Sequence, residues 1–326
     1  MKKMISFLLV LTFLAALGIS ALAEEPVSQM DVMCAPSGIA VFENGSILVT
    51  DVYNKCVWKV TNGKSIRYAG AESVESSYGE PLGGYNDSTL EKSLFQEPWA
   101  IVPFLNGWAV SDSANNAVRL LRNGKVETVN ARSNDGSLTV SDMGVVYSRP
   151  TGLAVDDLGN LYVANTGTGA VFRITGDGLT TVYCRNLNSP TGLFWYGGEL
   201  YVAETGANRI VKIVQGRSQV VAGSGDEGFE DGSAEEACFS SPTGVTADKN
   251  GVIYVADTAN SAVRRVADGQ VDTLISPPGD AELYNAPISP RGLYIMNDRL
   301  LVCDPYARTL LAVPLQNGRE EEIIGL

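Results

Sequence analysis

Residues 241–266 read SPTGVTADKNGVIYVADTANSAVRRV, and nearly the same sentence occurs twice upstream. RPTGLAVDDLGNLYVANTGTGAVFRI starts at Arg149, and SPTGLFWYGGELYVAETGANRIVKI starts at Ser189. Aligning the chain on the proline that opens each copy brings out three more. APSGIAVFENGSILVTDVYNKCVWKV starts at Ala35, EPWAIVPFLNGWAVSDSANNAVRLL at Glu97 and SPRGLYIMNDRLLVCDPYARTLLAV at Ser289. The opening prolines are Pro36, Pro98, Pro150, Pro190, Pro242 and Pro290, and the second apolar run of each copy closes on Asp51, Asp112, Asn165, Glu204, Asp257 and Asp304. Proline and closing residue are 15, 14, 15, 14, 15 and 14 positions apart, whereas the copies themselves follow one another at 40 to 62 residues. A rigid unit joined by variable connections is the reading that fits.

Each unit is written in short strands. In the third copy, Gly152–Val155, Leu161–Ala164, Ala170–Ile174 and Thr180–Tyr183 are apolar or β-branched runs separated by Gly-, Asp- and Asn-rich turns, the composition that a half-buried sheet favours. One four-stranded sheet cannot cover both of its faces, but six arranged radially can, each packing on its neighbours. The expected fold is all-β: a six-bladed β-propeller of four-stranded antiparallel blades, in preference to a linear β-solenoid. A single domain is expected over residues 24–326, preceded by a leader over 1–23. Lys2 and Lys3, the apolar stretch Ile5–Ile19 and the small-x-small Ala21-Leu22-Ala23 have the order of a cleaved signal peptide. The mature chain is expected to be secreted or extracytoplasmic, with no membrane insertion after cleavage.

The pattern P-x-G-[IVL], a strand ending in V-A-D, then T-x-N and another apolar strand, resembles the NHL repeat. PTGVTADKNGVIYVADTANSAVRRV and PTGLFWYGGELYVAETGANRIVKI carry it most fully, and the connection AGSGDEGFEDGSAEEACFSSPTG (222–244) resembles the family's link between blades. A looser version of that link precedes the second copy. The resemblance spans the chain from about Ala35 onward and implies an exported NHL-repeat propeller. It implies fold far more than function, because propellers of this kind serve enzymes, sensors and adhesive modules alike.

Composition narrows the function classes. The formal net charge is −13 with no histidine, which disfavours nucleic acid and anionic lipid, since both need clustered Lys and Arg. Without histidine, Ser-His-Asp and Cys-His relays and histidine-bound catalytic zinc cannot be built. The NHL-like amidating lyases and related propeller lyases depend on histidine, so the resemblance does not carry their activity here. One enzyme class survives as an alternative: metal-dependent propeller hydrolases of the gluconolactonase type, which hold a divalent cation such as calcium on carboxylate and amide oxygens. Glu204 and Asn165 depart from Asp at the strand-end position and are its candidate ligands. Otherwise no cofactor is expected. Five cysteines at irregular spacing suit neither a disulfide scaffold nor a zinc site.

Positions that vary within the repeat point to function. Pro, Gly and the closing acid recur and have structural roles available: φ restriction, close approach to the axis, and acceptance of hydrogen bonds from the following turn. The residue after each proline varies instead: Ser37, Trp99, Thr151, Thr191, Thr243 and Arg291. It is expected at one mouth of the central channel, where Trp99 supplies a flat apolar face and Arg291 a fork of donors. Two roles stay open for this set, binding a ligand or plugging the channel. Under the first, the chain is a binding, sensing or protein-interaction module for an extracellular protein, peptide or glycan. Tyr78, Tyr85 and Trp195 are further aromatic candidates. The acidic connection holding Asp226, Glu227, Glu230 and Asp231 lacks EF-hand spacing and is expected to form a turn leading into a short helix, Ser233–Ala237, capped by Asp231.

Overall fold

The computed structural model describes residues 33–42, 44–72, 75–129, 147–276, 289–315 and 322–323. The expected leader over 1–23 and most of the connections that lead into the third and sixth copies lie outside these residues. Six antiparallel sheets form a six-bladed β-propeller, one sheet per copy, as the repeat implies. Blade 1 comprises Pro36–Val41, Ile47–Asp51, Cys56–Thr61 and Lys64–Ala69. Blades 2 to 5 open on Pro98–Phe104, Pro150–Val155, Pro190–Tyr196 and Pro242–Ala247, and blade 6 on Leu293–Met296. Each blade is contiguous in sequence. Blade 6 takes its outermost strand from Glu322–Ile323, paired to Thr309–Pro314, so the ring closes by packing between blades 6 and 1 and not by exchange of a strand.

Strand periodicity explains that packing. In Leu161–Asn165 every residue is buried, since alternate side chains face opposite neighbours. Leu161 and Val163 join a cluster with Phe104, Val118 and Leu120 of blade 2. Tyr162 and Ala164 join Leu193, Leu200 and Val211 of blade 4. One such cluster lies at each of the six junctions, and the closing one sets Ile39, Val49 and Trp58 against Leu301, Cys303 and Leu310. Outer strands such as Arg217–Ala222 face solvent along most of their length. All five cysteines are free thiols, and only Cys238 is outside the buried class.

The closing residue of the second strand is a hydrogen-bond hub. Asp51 accepts from the backbone N–H groups of Cys34, Ala35, Tyr53 and Asn54, from Asn54 Nδ2, and from Trp58 Nε1. Asp112 accepts from Gln96, Glu97, Asn115 and Arg119, and Asp257 from Ser240, Asn260 and Arg264. Asp304 accepts from Ser289, Tyr306 and Ala307. The acid therefore ties the turn that follows to the segment that enters the innermost strand.

Two blades add a buried arginine to the hub. Arg119 bonds Asp112 at 3.0 Å, Asp87 at 2.6 Å and the carbonyls of Leu94 and Asn86, with its guanidinium against the rings of Tyr85 and Phe95. Arg264 repeats this with Asp257, Asp231, the carbonyls of Cys238 and Glu230, and the rings of Phe229 and Phe239. Here the structure corrects an expectation: 233–237 forms no helix. Gly232–Ser233 pairs with the outer strand Gln270–Ile275, a turn follows, and Asp231 bonds Arg264 and Thr273 in place of capping. Propensity for a helix start loses to a fully desolvated guanidinium that needs acceptors.

The head-of-unit glycines lie against the next blade. A Cβ on Gly152 would stand 1.9 Å from the Thr191 carbonyl oxygen, and one on Gly244 1.9 Å from that of Arg291. Blade 2 has Ala100 at this place. Gly152→Ala is expected to cost about 1–3 kcal/mol in urea unfolding, and Ala100→Gly less than about 1 kcal/mol. Asp112→Ala, which strands Arg119 without its innermost partner, is expected to cost about 3–5 kcal/mol. Asp272→Ala, at the half-exposed pair with Arg265, should cost under about 1 kcal/mol.

Candidate functional site: the channel mouth

In blades 1 to 5 the residue after the opening proline sits in a β-bulge. In blade 1, Pro36 pairs with Asp51 but the next partners are Ile39 and Val49, so the register slips across Ser37 and Gly38. Blades 2 to 5 slip at the same place. A bulge frees its residue from the ladder and re-aims its side chain. Ser37, Trp99, Thr243 and Arg291 line a central cavity of about 270 Å³. Its wall is otherwise largely apolar, with Ile39, Val102, Leu153, Leu193 and Val245 among its residues, and Trp195 and Tyr294 line it from strand positions beyond these.

The three threonines form a seam. Thr151 Oγ1 pairs with Thr166 Oγ1 at 2.7 Å, and Thr166 donates to the Pro190 carbonyl of the next blade at 2.7 Å. Thr191 with Thr205, and Thr243 with Thr258, repeat the arrangement, donating to the carbonyls of Pro242 and Pro290. Blades 1 and 2 use another hydroxyl: Thr50 donates to the Trp99 carbonyl at 2.8 Å, and Ser111 donates to that of Thr151. Five of the six junctions are therefore bridged by hydroxyls. At the sixth, between blades 6 and 1, Cys303 stands where Thr50 and Ser111 stand in their blades. Among the described residues, no hydroxyl bridge is present there.

Arg291 and Ser37 occupy that junction. Gly292 lies so close to blade 1 that a Cβ on it would be 2.1 Å from the Ser37 carbonyl oxygen. The Ser37 side chain is buried, and its Oγ has no hydrogen-bond partner. The Arg291 guanidinium lies over the Trp99 ring, 4.6 Å from its centroid, reaching past blade 1 to blade 2. That face-on contact is its one named side-chain interaction; among the described residues its N–H groups have neither a carboxylate nor a carbonyl in hydrogen-bond reach. Burial pulls the guanidinium pKa down, while the charges of Glu97 and Asp304 push the other way. A half-buried cation with unused donors can accept an oxygen-rich ligand.

Glu204 and Asn165 are used differently. Glu204 accepts from the Asn188 N–H at 2.7 Å and from Arg209 Nε at 2.7 Å. Asn165 accepts from the Ser148 N–H and donates to Thr168 Oγ1 at 2.6 Å. Both serve as strand-end hubs. Among the described residues, no three His, Cys, Asp or Glu side chains are grouped to hold a metal ion. Of the other aromatics, Tyr78 is exposed, Tyr85 lies on Arg119 with its hydroxyl at Thr128, and Trp195 stacks on Tyr162 with Nε1 donating to Asp157.

The seam partners Thr166, Thr205 and Thr258 escaped the sequence reading, although a signal was present. A threonine follows the strand-end residue only in the three copies that also read P-T-G. The arginine clamps left one too: Arg119 and Arg264 share the third position of the third strand, in the two blades preceded by the related connections.

Comparison with known proteins agrees with this architecture. A model of the NHL repeat matches residues 33–60, 147–174 and 239–265, which fall in blades 1, 3 and 5. The chain carries NHL repeats. The chicken (Gallus gallus) NHL repeat-containing protein 2 is 45% identical over 71 residues, 22% of this chain and 10% of that protein. The NHL chain thus spans only about a tenth of that curated relative. Among solved structures, a virginiamycin B lyase from Staphylococcus aureus superposes with a TM-score of 0.58 at 15% identity, over 91% of this chain and 85% of the other. A chain of a nidogen/laminin complex superposes at 0.57 and 12% identity, over 83% and 90%. At such identities the likeness is one of fold. The lyase structure is of a histidine-to-alanine variant described as catalytically inactive, and this NHL propeller has no histidine at all.

If the threonine pairs hold neighbouring blades together, Thr205→Val is expected to lower stability by about 1–3 kcal/mol, leaving the buried Pro242 carbonyl short of a donor and the Thr191 hydroxyl short of an acceptor. Circular dichroism melting of the variant against Thr205→Ser, which keeps the hydroxyl, checks this.

Proposed function

We propose that this NHL propeller is an exported binding or sensing module whose ligand, an extracellular protein segment, peptide or glycan, is taken at the channel mouth by Trp99 and Arg291. The observation that carries the reading is the Arg291–Trp99 contact: a guanidinium stacked 4.6 Å from an indole, with its donors unspent, on the wall of the central cavity. Aromatic and arginine side chains are the residues on which binding energy most often concentrates. Arg presents five donors in a fixed fork that suits carboxylate and carbonyl groups. Export is supported by the basic start, the apolar run and the Ala21-Leu22-Ala23 site of the leader.

The NHL fold leaves the choice of ligand to its loops and bulges. Here the residues after the opening prolines differ in kind between blades, from small hydroxyls to Trp99 and Arg291. Fold maintenance alone gives no reason for that difference.

The test is binding of the mature chain to peptide and glycan arrays, repeated with the Trp99→Ala/Arg291→Ala double variant. A ligand captured by the unaltered chain is expected to lose at least about tenfold in affinity in the double variant, with the melting temperature little changed. Undiminished capture by a variant that melts normally would remove the ligand from the channel mouth.

A further inference from the structure

The cavity behind the mouth defines a narrower ligand class, an inference that rests on the channel-mouth reading. Its wall is largely apolar, from the inner strands of all six blades, and its volume is about 270 Å³. That is room for roughly nine waters of liquid volume, below the usual span of drug-sized pockets, about 300–1,000 Å³. The polar donors free to serve a guest are concentrated at one end. Arg291 has no anionic partner within ion-pair distance among the described residues, and Ser37 Oγ is buried with no partner. Both stand at the single junction that no hydroxyl bridges. Elsewhere around the ring the mouth's hydroxyls are committed to Thr–Thr pairs or to carbonyls of the next blade.

We propose that the channel binds a small apolar monocarboxylate, its carboxylate held by the Arg291 guanidinium against the Trp99 ring, with the Ser37 hydroxyl, sealed from solvent in the empty channel, turning toward it on binding, and its hydrocarbon body inside the channel. Charge complementarity selects the head group: a carboxylate offers two oxygens to a forked donor. A cationic head would meet Arg291, and a neutral one would leave its donors unmet. The apolar wall selects the body, because each methylene moved out of water contributes favourably. Size selects a medium chain over a long one. In the absence of a guest Arg291 rests on Trp99, so the two roles open for these residues, plugging and binding, become two states of one contact.

The experiment is calorimetric titration of the mature chain with octanoate, 1-octanol and octylammonium, below their aggregation concentrations, for the unaltered protein, Arg291→Gln and Ser37→Ala. Octanoate is expected to bind near-stoichiometrically. Its affinity should fall at least about tenfold in Arg291→Gln and by a smaller factor in Ser37→Ala, a change too slight to threaten the fold. Octylammonium should not bind. Equal affinity for octanol and octanoate, unchanged in Arg291→Gln, would overturn carboxylate recognition while leaving the mouth as a ligand site. No binding by any of the three probes would also overturn it. In that case an array ligand lost in Trp99→Ala/Arg291→Ala keeps the broader reading, and an array ligand retained by that variant removes both.

Discussion

One buried strand-end residue per blade, a carboxylate in five blades and the amide of Asn165 in blade 3, organises this ring. The second strand ends on it, and the two things that must be fixed for a blade to fit its neighbours both hydrogen-bond to it: the tight turn to the third strand and the chain entering the first. Asp51 is wholly buried and serves both groups at once. An anion so placed would be costly if its oxygens were unmet, since a desolvated charge needs partners. The blade supplies backbone N–H groups for the purpose, and this explains a feature of the sequence that composition cannot. Between proline and acid the distance stays at 14 or 15 residues, while everything between blades drifts. A longer or shorter path would take the entering N–H groups away from the carboxylate.

The same constraint explains where the connections are held. In blades 2 and 5 the hub takes on a buried arginine, which then demands more acceptors than one Asp can give. The incoming connection provides them, with Asp87 and two carbonyls for Arg119, and Asp231 and two carbonyls for Arg264. One acid of the run before the fifth copy, Asp231, is therefore the counter-charge of a core residue. The run's resemblance to a cation site has a real basis, but the cation is a guanidinium from the protein's own third strand. Blade 1 solves the same problem with Trp58, whose indole N–H reaches Asp51 at 3.0 Å.

The fold was legible because a propeller writes its architecture once per blade. Period-two burial, the strand-end acid and the opening Pro-x-Gly are local features, and Leu161–Asn165 or Ile253–Asp257 could be placed from sequence alone. The site was legible only as a set of positions. That Trp99 and Arg291 differ from their counterparts is visible in the sequence. That they meet, although their blades are not adjacent, depends on the bulge angles and on the small Ser37 between them. The threonines show the converse case. Thr151, Thr191 and Thr243 read as binding hydroxyls because small polar residues at a channel mouth commonly are, yet each is paired to a second threonine fifteen or fourteen residues on. The failed helix at 233–237 has a similar cause, a partner, Arg264, distant in sequence from the segment it controls.

The two devices at the mouth are best understood against each other. A hydroxyl seam at a blade junction fixes the first residues of neighbouring inner strands and closes the ring to water. Five junctions have one among the described residues, and the sixth has Cys303 where Thr50 and Ser111 serve, a proline after Asp304 where three of the seams have threonine, and Arg291 after the opening proline. Loss of the seam at that junction costs the ring a fixed contact where the first and last blades meet, a place already closed without strand exchange. There the guanidinium lies over the Trp99 ring instead. A cation–π contact is weaker and less directional than a pair of buried hydroxyl bonds, and it can be exchanged for a carboxylate without leaving a charge unmet. The junction without a hydroxyl seam is thus also the one whose contact a guest can replace.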